Sequence, residues 1–349
     1  MSDTLKIATI AIDAMGGDFG PGVTVPAAIT FLQQSSKQGH QPAIILVGIE
    51  DQINALIRQH HGAPWLASGR LRVVAATQVV EMHEAPAKAL KKKKDSSMRV
   101  AINLVKQGEA QACVSAGNTG ALMATGRFVL KTIPGINRPA IISTMPCKDT
   151  STTLHMLDLG ANVDSSPEML VQFAIMGSVL TQFVDHKKSP RVALLNVGEE
   201  EIKGSEKVKK ASALLADSNL NYVGYVESDE LFTSKVDVIV CDGFEGNVAL
   251  KASEGTASMV LGVLNEEFRR NWVSKLLGLA SKSIFARMQT RLDPRRHNGA
   301  TLIGLNGIVV KSHGGTDEFG FLHAIEEAST QAEQDVIAHI SEEIQKLTA

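Results

Sequence analysis

Ile12-Asp13-Ala14-Met15-Gly16-Gly17-Asp18-Phe19-Gly20-Pro21 is the stretch that decides the fold. An apolar, largely β-branched run from Ile7 leads into it and reads as a buried strand. Two carboxylates and three glycines then stand where a strand-to-helix loop belongs. In open α/β proteins such loops lie at the carboxyl end of the sheet, where backbone amides, helix N-termini and loop side chains converge on ligands. The same residues also suit a plain glycine turn whose aspartates cap the next helix.

Working outward, strand-like runs alternate with helical ones. Strands are expected at Ile7 to Asp13, Ala43 to Val47, Leu71 to Ala75, Ala112 to Ser115, Thr153 to Leu159, Val192 to Asn196, Tyr222 to Val226 and Val236 to Cys241. This alternation predicts an α/β chain with a mostly parallel sheet covered by helices on both faces, a three-layer α/β/α arrangement. After Lys251 the strand signal stops, and a helical extension over about 252–293 precedes a Gly-rich return segment. From Leu322 to Leu347 apolar residues recur at helical spacing, predicting one long helix packed on the sheet. No internal repeat or low-complexity linker divides the chain, so residues 1–349 read as one domain.

Composition narrows the function classes. Net charge is -2 and aromatic residues make up 4%, so neither a global polyanion-binding surface nor a stacking platform for single-stranded nucleic acid is expected. Cys113, Cys147 and Cys241 are widely spaced, without metal-ligand or CxxC spacing, which suits a reducing compartment and predicts no metal. The N-terminus lacks an apolar core of the secretory type, so a cytoplasmic location is expected. Met169 to Val184 is strongly apolar but short of the ~20 residues that span a bilayer, and reads as a buried helix.

Four further polar turns follow expected strands. Ser115-Ala116-Gly117-Asn118-Thr119-Gly120 enters a helix near Gly120, with Asn118 or Thr119 able to cap it. Leu157-Asp158-Leu159-Gly160-Ala161-Asn162-Val163-Asp164 leads to Ser165, Ser166 and Pro167, a cap followed by a first-turn proline. Asn196-Val197-Gly198 through Lys203-Gly204 and Asp242-Gly243-Phe244-Glu245-Gly246-Asn247 complete the set. Singly, each is a helix-entry turn. Together they are expected to converge on one sheet edge as a ligand site. Asp13, Gly16, Gly17, Asp18, Asn118, Thr119, Asn162 and Asp164, with His313 in its own Gly-rich turn, are the expected substrate-binding residues.

These turns, with Lys91-Lys92-Lys93-Lys94-Asp95-Ser96-Ser97-Met98 and Gly299 through Gly315, resemble motifs of the bacterial phosphate acyltransferases of phospholipid synthesis, in that family's order over nearly the whole chain. Gly315 and Thr316 stand where the family pattern has serines. The resemblance implies a fold similar to isocitrate and isopropylmalate dehydrogenases and to phosphate acetyltransferases, a homodimer, and acyl transfer from acyl carrier protein to inorganic phosphate without a cofactor. It further implies that Lys203 and Asn247 are catalytic.

The residue chemistry is compatible with direct attack by phosphate. A serine or cysteine nucleophile would need an adjacent base, and none is evident in the sequence. Phosphate needs little activation, because its second pKa near ~6 leaves it largely dianionic at neutral pH. Positioning it beside a thioester needs amide donors, a cation, and a donor for the oxygen that gains charge. Lys203 would hold the phosphate or stabilise the departing thiolate, and the Asn247 amide would donate to the oxyanion. As plain structure, they would be an ion-paired surface lysine and a helix cap. Cys113 and Cys241 read as buried core residues.

Lys91 to Lys94, otherwise a solvated face, suit an acidic carrier protein. Between Asn265 and His297 eight basic residues face three acids, a local balance of +5. In that stretch Trp272, Val273, Leu276, Leu277, Ala280, Ile284 and Met288 form an apolar helical face, suited to a membrane surface next to a membrane acyltransferase, to a partner, or to a dimer seam. Rival readings are a short-chain phosphate acyltransferase using acyl-coenzyme A, a nicotinamide-dependent decarboxylating dehydrogenase, and a non-catalytic carrier-protein or membrane adaptor. The dehydrogenase is disfavoured by the lack of a GxGxxG fingerprint and of a clear metal-carboxylate motif.

Overall fold

A computed structural model describes residues 8–149 and 152–348. In chain order the elements are β1 (Thr9–Asp13), α1 (Pro21–Lys37), β2 (Ala43–Gly48), α2 (Glu50–Gln59), α3 (Ala63–Ala67), β3 (Leu71–Ala75), α4 (Pro86–Lys92), α5 (Ser97–Lys106), β4 (Ala112–Ser115), α6 (Thr119–Leu130), β5 (Ala140–Met145), β6 (Leu154–Leu157), α7 (Pro167–Val184), β7 (Val192–Leu195), α8 (Glu206–Ala216), β8 (Tyr222–Val226), β9 (Val238–Val240), α9 (Gly243–Arg269), α10 (Trp272–Ala280), α11 (Lys282–Leu292), β10 (Ala300–Ile303), β11 (Ile308–Lys311), α12 (Glu318–Glu333) and α13 (Val336–Thr348). All the strands join one eleven-stranded sheet in the order β3-β2-β1-β4-β11-β10-β5-β6-β9-β7-β8.

Each face of the sheet is buried, as the near-continuous Val and Ile runs require. On one face Ala11, Cys113, Val309, Met156 and Ile239 lie in a core that runs across both halves. The opposite face is divided. Ile10, Ile12 and Val114 pack with residues of α1 and α12, while Leu157, Val238 and Val192 pack with residues of α7, α8 and α13. Helix α7, the apolar stretch expected to be buried, contributes Phe173 and Met176 to that core.

Among the described residues seven of the ten strand pairings are parallel, so the mostly parallel sheet is observed. The other three lie at its centre: β11 with β10, β10 with β5, and β5 with β6. Three reversals leave β6, β9, β7 and β8 running opposite to β1, β2, β3, β4 and β11. The carboxyl ends of the two halves therefore lie on opposite edges of the sheet, and the expected convergence on one edge is not what the chain does. Strands β5, β10 and β11, which cause the reversal, lie where no strand was expected.

Three boundaries also move. Ile7 lies outside the described residues, and the first described strand begins at Thr9. The helical extension starts at Gly243 rather than near 252, because Asp242 caps it by accepting from the N–H groups of Phe244 and Glu245. The long C-terminal helix is two, broken where Asp335 takes a left-handed φ of 49°.

Asp237, just before β9, ties down the start of the reversed strands. It accepts from the backbone and guanidinium of Arg191, at 2.8 and 3.0–3.1 Å, and pairs with Lys187 at 2.7 Å. Burial opposes its charge, but the hydrogen bonds from Arg191 and Lys187 override this and hold the carboxyl at about 2. A depressed carboxylate stabilises the fold above its unfolded value and loses that contribution as pH falls through the folded one. Allowing for solvent around the partly exposed Arg191 and Lys187, about 1–2 kcal/mol should disappear between pH ~4 and ~2. Asp237→Asn should remove that step from the stability-versus-pH curve and lower Tm at neutral pH by roughly 2–4 °C, measured by thermal unfolding across a pH series.

Candidate functional site

The carboxyl ends of β1, β4 and β11 meet in a first polar cluster. The Ser115 hydroxyl donates to Asp13 Oδ2 at 2.6 Å and receives the Gly117 N–H at 3.1 Å, joining the first two turns. Asp18 N–H donates to the Gly314 carbonyl at 2.9 Å, and Ser312 N–H to the Ser115 carbonyl at 3.0 Å, which brings in the third. The fit leaves no room for side chains at two glycines. A Cβ on Gly16 would lie 2.7 Å from Asp13 Oδ2, and one on Gly17, whose φ is 91°, would lie 2.9 Å from the Ala116 side chain. Asp13 is buried and Asp18 exposed. Burial pushes the Asp13 carboxyl up, against the hydrogen bond from Ser115.

Asn118 caps α6 by accepting the Ala121 N–H at 2.9 Å, while its amide donates to the carbonyls of Met82 and Glu84. Thr119 is the exposed first residue of that helix. His313 is exposed, with its N–H held by Asn298 and its Nδ1 receiving the Gly315 N–H at 3.2 Å. Thr316 is buried beside Gly320, away from the turn mouth.

A second cluster gathers at the carboxyl ends of β6, β7 and β9. Asp158 organises it. Its buried carboxylate accepts from the N–H groups of Ile141 at 2.9 Å, Ala161 at 2.9 Å and Asn162 at 2.7 Å, and from the Asn162 amide at 2.9 Å. Burial raises this carboxyl despite the pull of those donors. Asn162 is itself buried, bonded through its amide to the Pro139 carbonyl, while Asp164 is exposed and lies 3.7 Å from Lys207. Lys207 pairs more closely with Asp242. Burial disfavours its charge, but that hydrogen bond wins and holds the amine above its usual range.

Lys203 and Asn247 both belong to this second cluster. Lys203 is exposed and pairs with Glu200 at 2.8 Å, a hydrogen bond that raises its amine. Its loop is shaped by Asn196, which donates to the carbonyls of Gly198 and Lys203. Asn247 lies in the first turns of α9, exposed beside Gly160, with no side-chain hydrogen bond among the described residues. It is not a cap, because Asp242 holds that position.

The sequence-derived site residues thus divide between two places. Asp13, Gly16, Gly17, Asp18, Asn118, Thr119 and His313 form one group; Asn162, Asp164, Lys203 and Asn247 form the other. Helix α6 gives the scale, since it starts in the first cluster, ends at the opposite edge, and its 12 residues span ~18 Å. Asp158, Asn196, Lys207, Asp242 and Lys311 went unsingled in the sequence. The partners that fix Lys207, Lys311 and one oxygen of Asp158 lie 17 to 195 residues away, while Asn196 and Asp242 shape their own turns and were marked only by position at a strand end or helix entry.

Neither cluster presents a cysteine nucleophile. Cys113 and Cys241 are buried, and burial, helped by Asp13 beside Cys113 and Asp158 beside Cys241, pushes both thiols well up. Among the described residues, no group of three His, Cys, Asp or Glu side chains is placed to hold a metal.

A family model described as a fatty acid synthesis protein matches residues 8–339. A phosphate acyltransferase of Legionella pneumophila is 53% identical over 341 residues, covering 97% of each chain. One of Nitrosococcus oceani is 54% identical over 333 residues, 95% of each. In fold, the chain is similar to a phosphotransacetylase from Streptococcus pyogenes, with TM-score 0.61 and 16% identity over 94% of both chains. EutD phosphotransacetylase from Staphylococcus aureus gives 0.59 at the same identity, over 94% of this chain and 95% of that one.

Asp158→Ala would strand several buried N–H donors, so it should cost about 2–4 kcal/mol of stability. Asp164→Ala, at the exposed end of the same turn, should stay within about 0.5 kcal/mol. Chemical denaturation of the two variants side by side reads the difference.

Proposed function

The chain belongs to the fatty acid synthesis protein family, as a phosphate acyltransferase, and from that premise we propose that it moves a long-chain acyl group from acyl carrier protein to inorganic phosphate. The product, an acyl phosphate, would feed phospholipid synthesis in the cytoplasm. The observation that carries the mechanism is the burial of Cys113 and Cys241 while cations stand at the turn mouths. A thioester attacked directly by a positioned phosphate dianion needs no enzyme nucleophile. In this reading the amides and polar side chains of the first cluster seat phosphate. Lys203 answers developing negative charge and Asn247 donates to the oxyanion. Lys203→Ala and Asn247→Ala should each lower turnover by about 10²–10³-fold, measured as acyl phosphate formed and thiol released. Running acyl-coenzyme A beside acyl carrier protein thioester decides which carrier is used.

Clusters on opposite edges of one sheet can act on one substrate only if a second copy brings them together. We infer a homodimer in which the second cluster of one copy faces the first cluster of the other. Large apolar side chains stand in the open around both: Val163, Val197, Ile202, Phe244 and Val248 at the second, Phe19 and Met82 at the first. Mixing Lys203→Ala with Asn118→Ala after subunit exchange should restore roughly a quarter of wild-type activity, since half the dimers then hold one intact site. No recovery from a mixture shown to have exchanged would place the two clusters in separate roles.

The extension supports peripheral membrane contact. Helices α10 and α11 expose Trp272, Leu276, Leu277, Leu279 and Ile284, with Lys275 and Lys282 on the same hairpin, and Phe268 against Phe285 braces it. The break at Ser281 divides the apolar face between two helices. Binding to anionic vesicles should weaken with salt and with Leu276→Asp or Leu277→Asp while activity in solution persists. Sedimentation with vesicles, beside size measurement of the same variants, separates a membrane face from a dimer seam.

A further inference from the structure

The carboxyl end of β11 holds a buried lysine that the roles above leave unused. Lys311 is 9% exposed, and its ammonium donates to the carbonyls of Ala116, at 3.3 Å, and of Ser312. No carboxylate among the described residues pairs with it within 4.0 Å. Two carbonyls occupy two of its three N–H donors, which leaves one. In the same cluster Asp13 Oδ1 is buried without a partner, although the other oxygen of that carboxylate is taken by Ser115. An ammonium and a carboxylate oxygen buried and unspent in one turn cluster are costly to the fold alone. Of the two, the lysine keeps a fraction of its surface open, whereas Asp13 Oδ1 is shut from solvent.

Resting on the reading that phosphate and thioester meet at these turns, we propose that Lys311 carries the proton of the reaction, taking it from hydrogen phosphate and delivering it to the departing thiolate. The phosphate oxygen forms its bond to the thioester carbonyl carbon, and the C–S bond breaks with its electron pair on sulfur. The Lys311 ammonium protonates that sulfur, and the neutral amine accepts the proton that hydrogen phosphate sheds as it becomes acyl phosphate. Net, acyl thioester and hydrogen phosphate give acyl phosphate and thiol, with the lysine restored. Burial brings the ammonium down to about 8, against the opposite pull of Asp13 and Asp18. A free thiol titrates near ~8.5, so donor and acceptor are closely matched, the condition under which proton transfer assists most.

The competing role is a brace that only fixes the carbonyls of Ala116 and Ser312. Leaving-group chemistry separates the two. The probes are long-chain acyl thioesters of N-acetylcysteamine, an alkyl thiol that must be protonated as it leaves, and of 4-nitrothiophenol, whose thiolate departs unaided. Wild-type turnover should differ little between them. Lys311→Met and Lys311→Arg should lose about 10²–10³-fold with the alkyl ester and come within about tenfold of wild type with the aryl ester, because arginine keeps charge but does not release its proton. An equal loss on both esters in folded variants, or recovery by arginine on the alkyl ester, overturns the proposal. If neither variant folds, the wild-type comparison still decides, since a rate that climbs steeply with the aryl ester means that no proton is supplied. Failure of wild type to form acyl phosphate from any thioester, acyl carrier protein included, would overturn the functional reading itself.

Discussion

A central strand must satisfy its backbone N–H and C=O groups on both sides, and the way this chain meets that demand between β11 and β6 governs everything else in the molecule. A wholly parallel sheet would put every strand-end turn on one edge. Here β11 returns from β10 as a hairpin, β5 pairs antiparallel to β10, and β6 pairs antiparallel to β5. The reversal is secured where β6 ends. Leu159 N–H still reaches the Ile141 carbonyl, while Ile141 N–H turns to the Asp158 carboxylate instead of a neighbouring strand. One buried side chain thus closes the ladder and shapes the following loop. It holds Ala161 and Asn162 by their N–H groups, and Gly243 N–H docks on the Asn162 carbonyl at the start of α9.

That constraint separates two kinds of polar machinery. The first cluster is an arrangement of close backbone approaches, with glycines where Cβ atoms would collide and a capped helix behind them. The second is an arrangement of charges, with Asp242 both capping α9 and neutralising Lys207, and Lys203 held by Glu200 at the rim. Asp242 fills the N-terminus of α9, so that helix end is already spoken for by an anion of the protein's own. The α6 entry is capped by a neutral asparagine, which leaves its positive end without a charge of the protein's own in the cap position.

How much of this was legible in the sequence follows from the range of the interactions. Strands β1 and β2 carry their own signal in Ile-rich runs and β4 and β7 in short apolar ones, and Asn118, Ser166 and Pro167 mark their helices by local chemistry alone. Strand β5 is six residues bracketed by Pro139 and Pro146 and diluted by Ser143 and Thr144, so its pattern resembles a loop. The β10–β11 hairpin does carry a signal, since Asn306-Gly307 between two β-rich runs is a strong turn cue, but Gly299, Gly304, Gly314 and Gly315 around it give the stretch the composition of a loop. Missing those strands hid the reversal, and with it the division of the site. Lys311 was opaque for a different reason, since a lysine ending an apolar strand reads as a solvated terminus until Ala116 and Ser312 are seen to cover it.

In the proposed reading, direct attack by phosphate accounts for the withdrawal of the conspicuous nucleophiles. A cysteine with its thiol pushed up by burial cannot supply thiolate, and Cys241 spends its S–H on the Leu157 carbonyl at 3.1 Å. With the nucleophile arriving as a dianion, the protein must hold that charge, meet the charge forming on the carbonyl oxygen, and keep a proton at hand for sulfur. Amides at a helix N-terminus suit the first task, a neutral amide such as Asn247 suits the second, and a lysine brought down to about 8 by burial suits the third. The tasks differ in the environment they need, open for substrate entry in one case and desolvated in another. The first cluster holds both, with Asp18, Thr119 and His313 open at the surface and Lys311 sunk beneath them, while Asn247 stands exposed on the opposite edge.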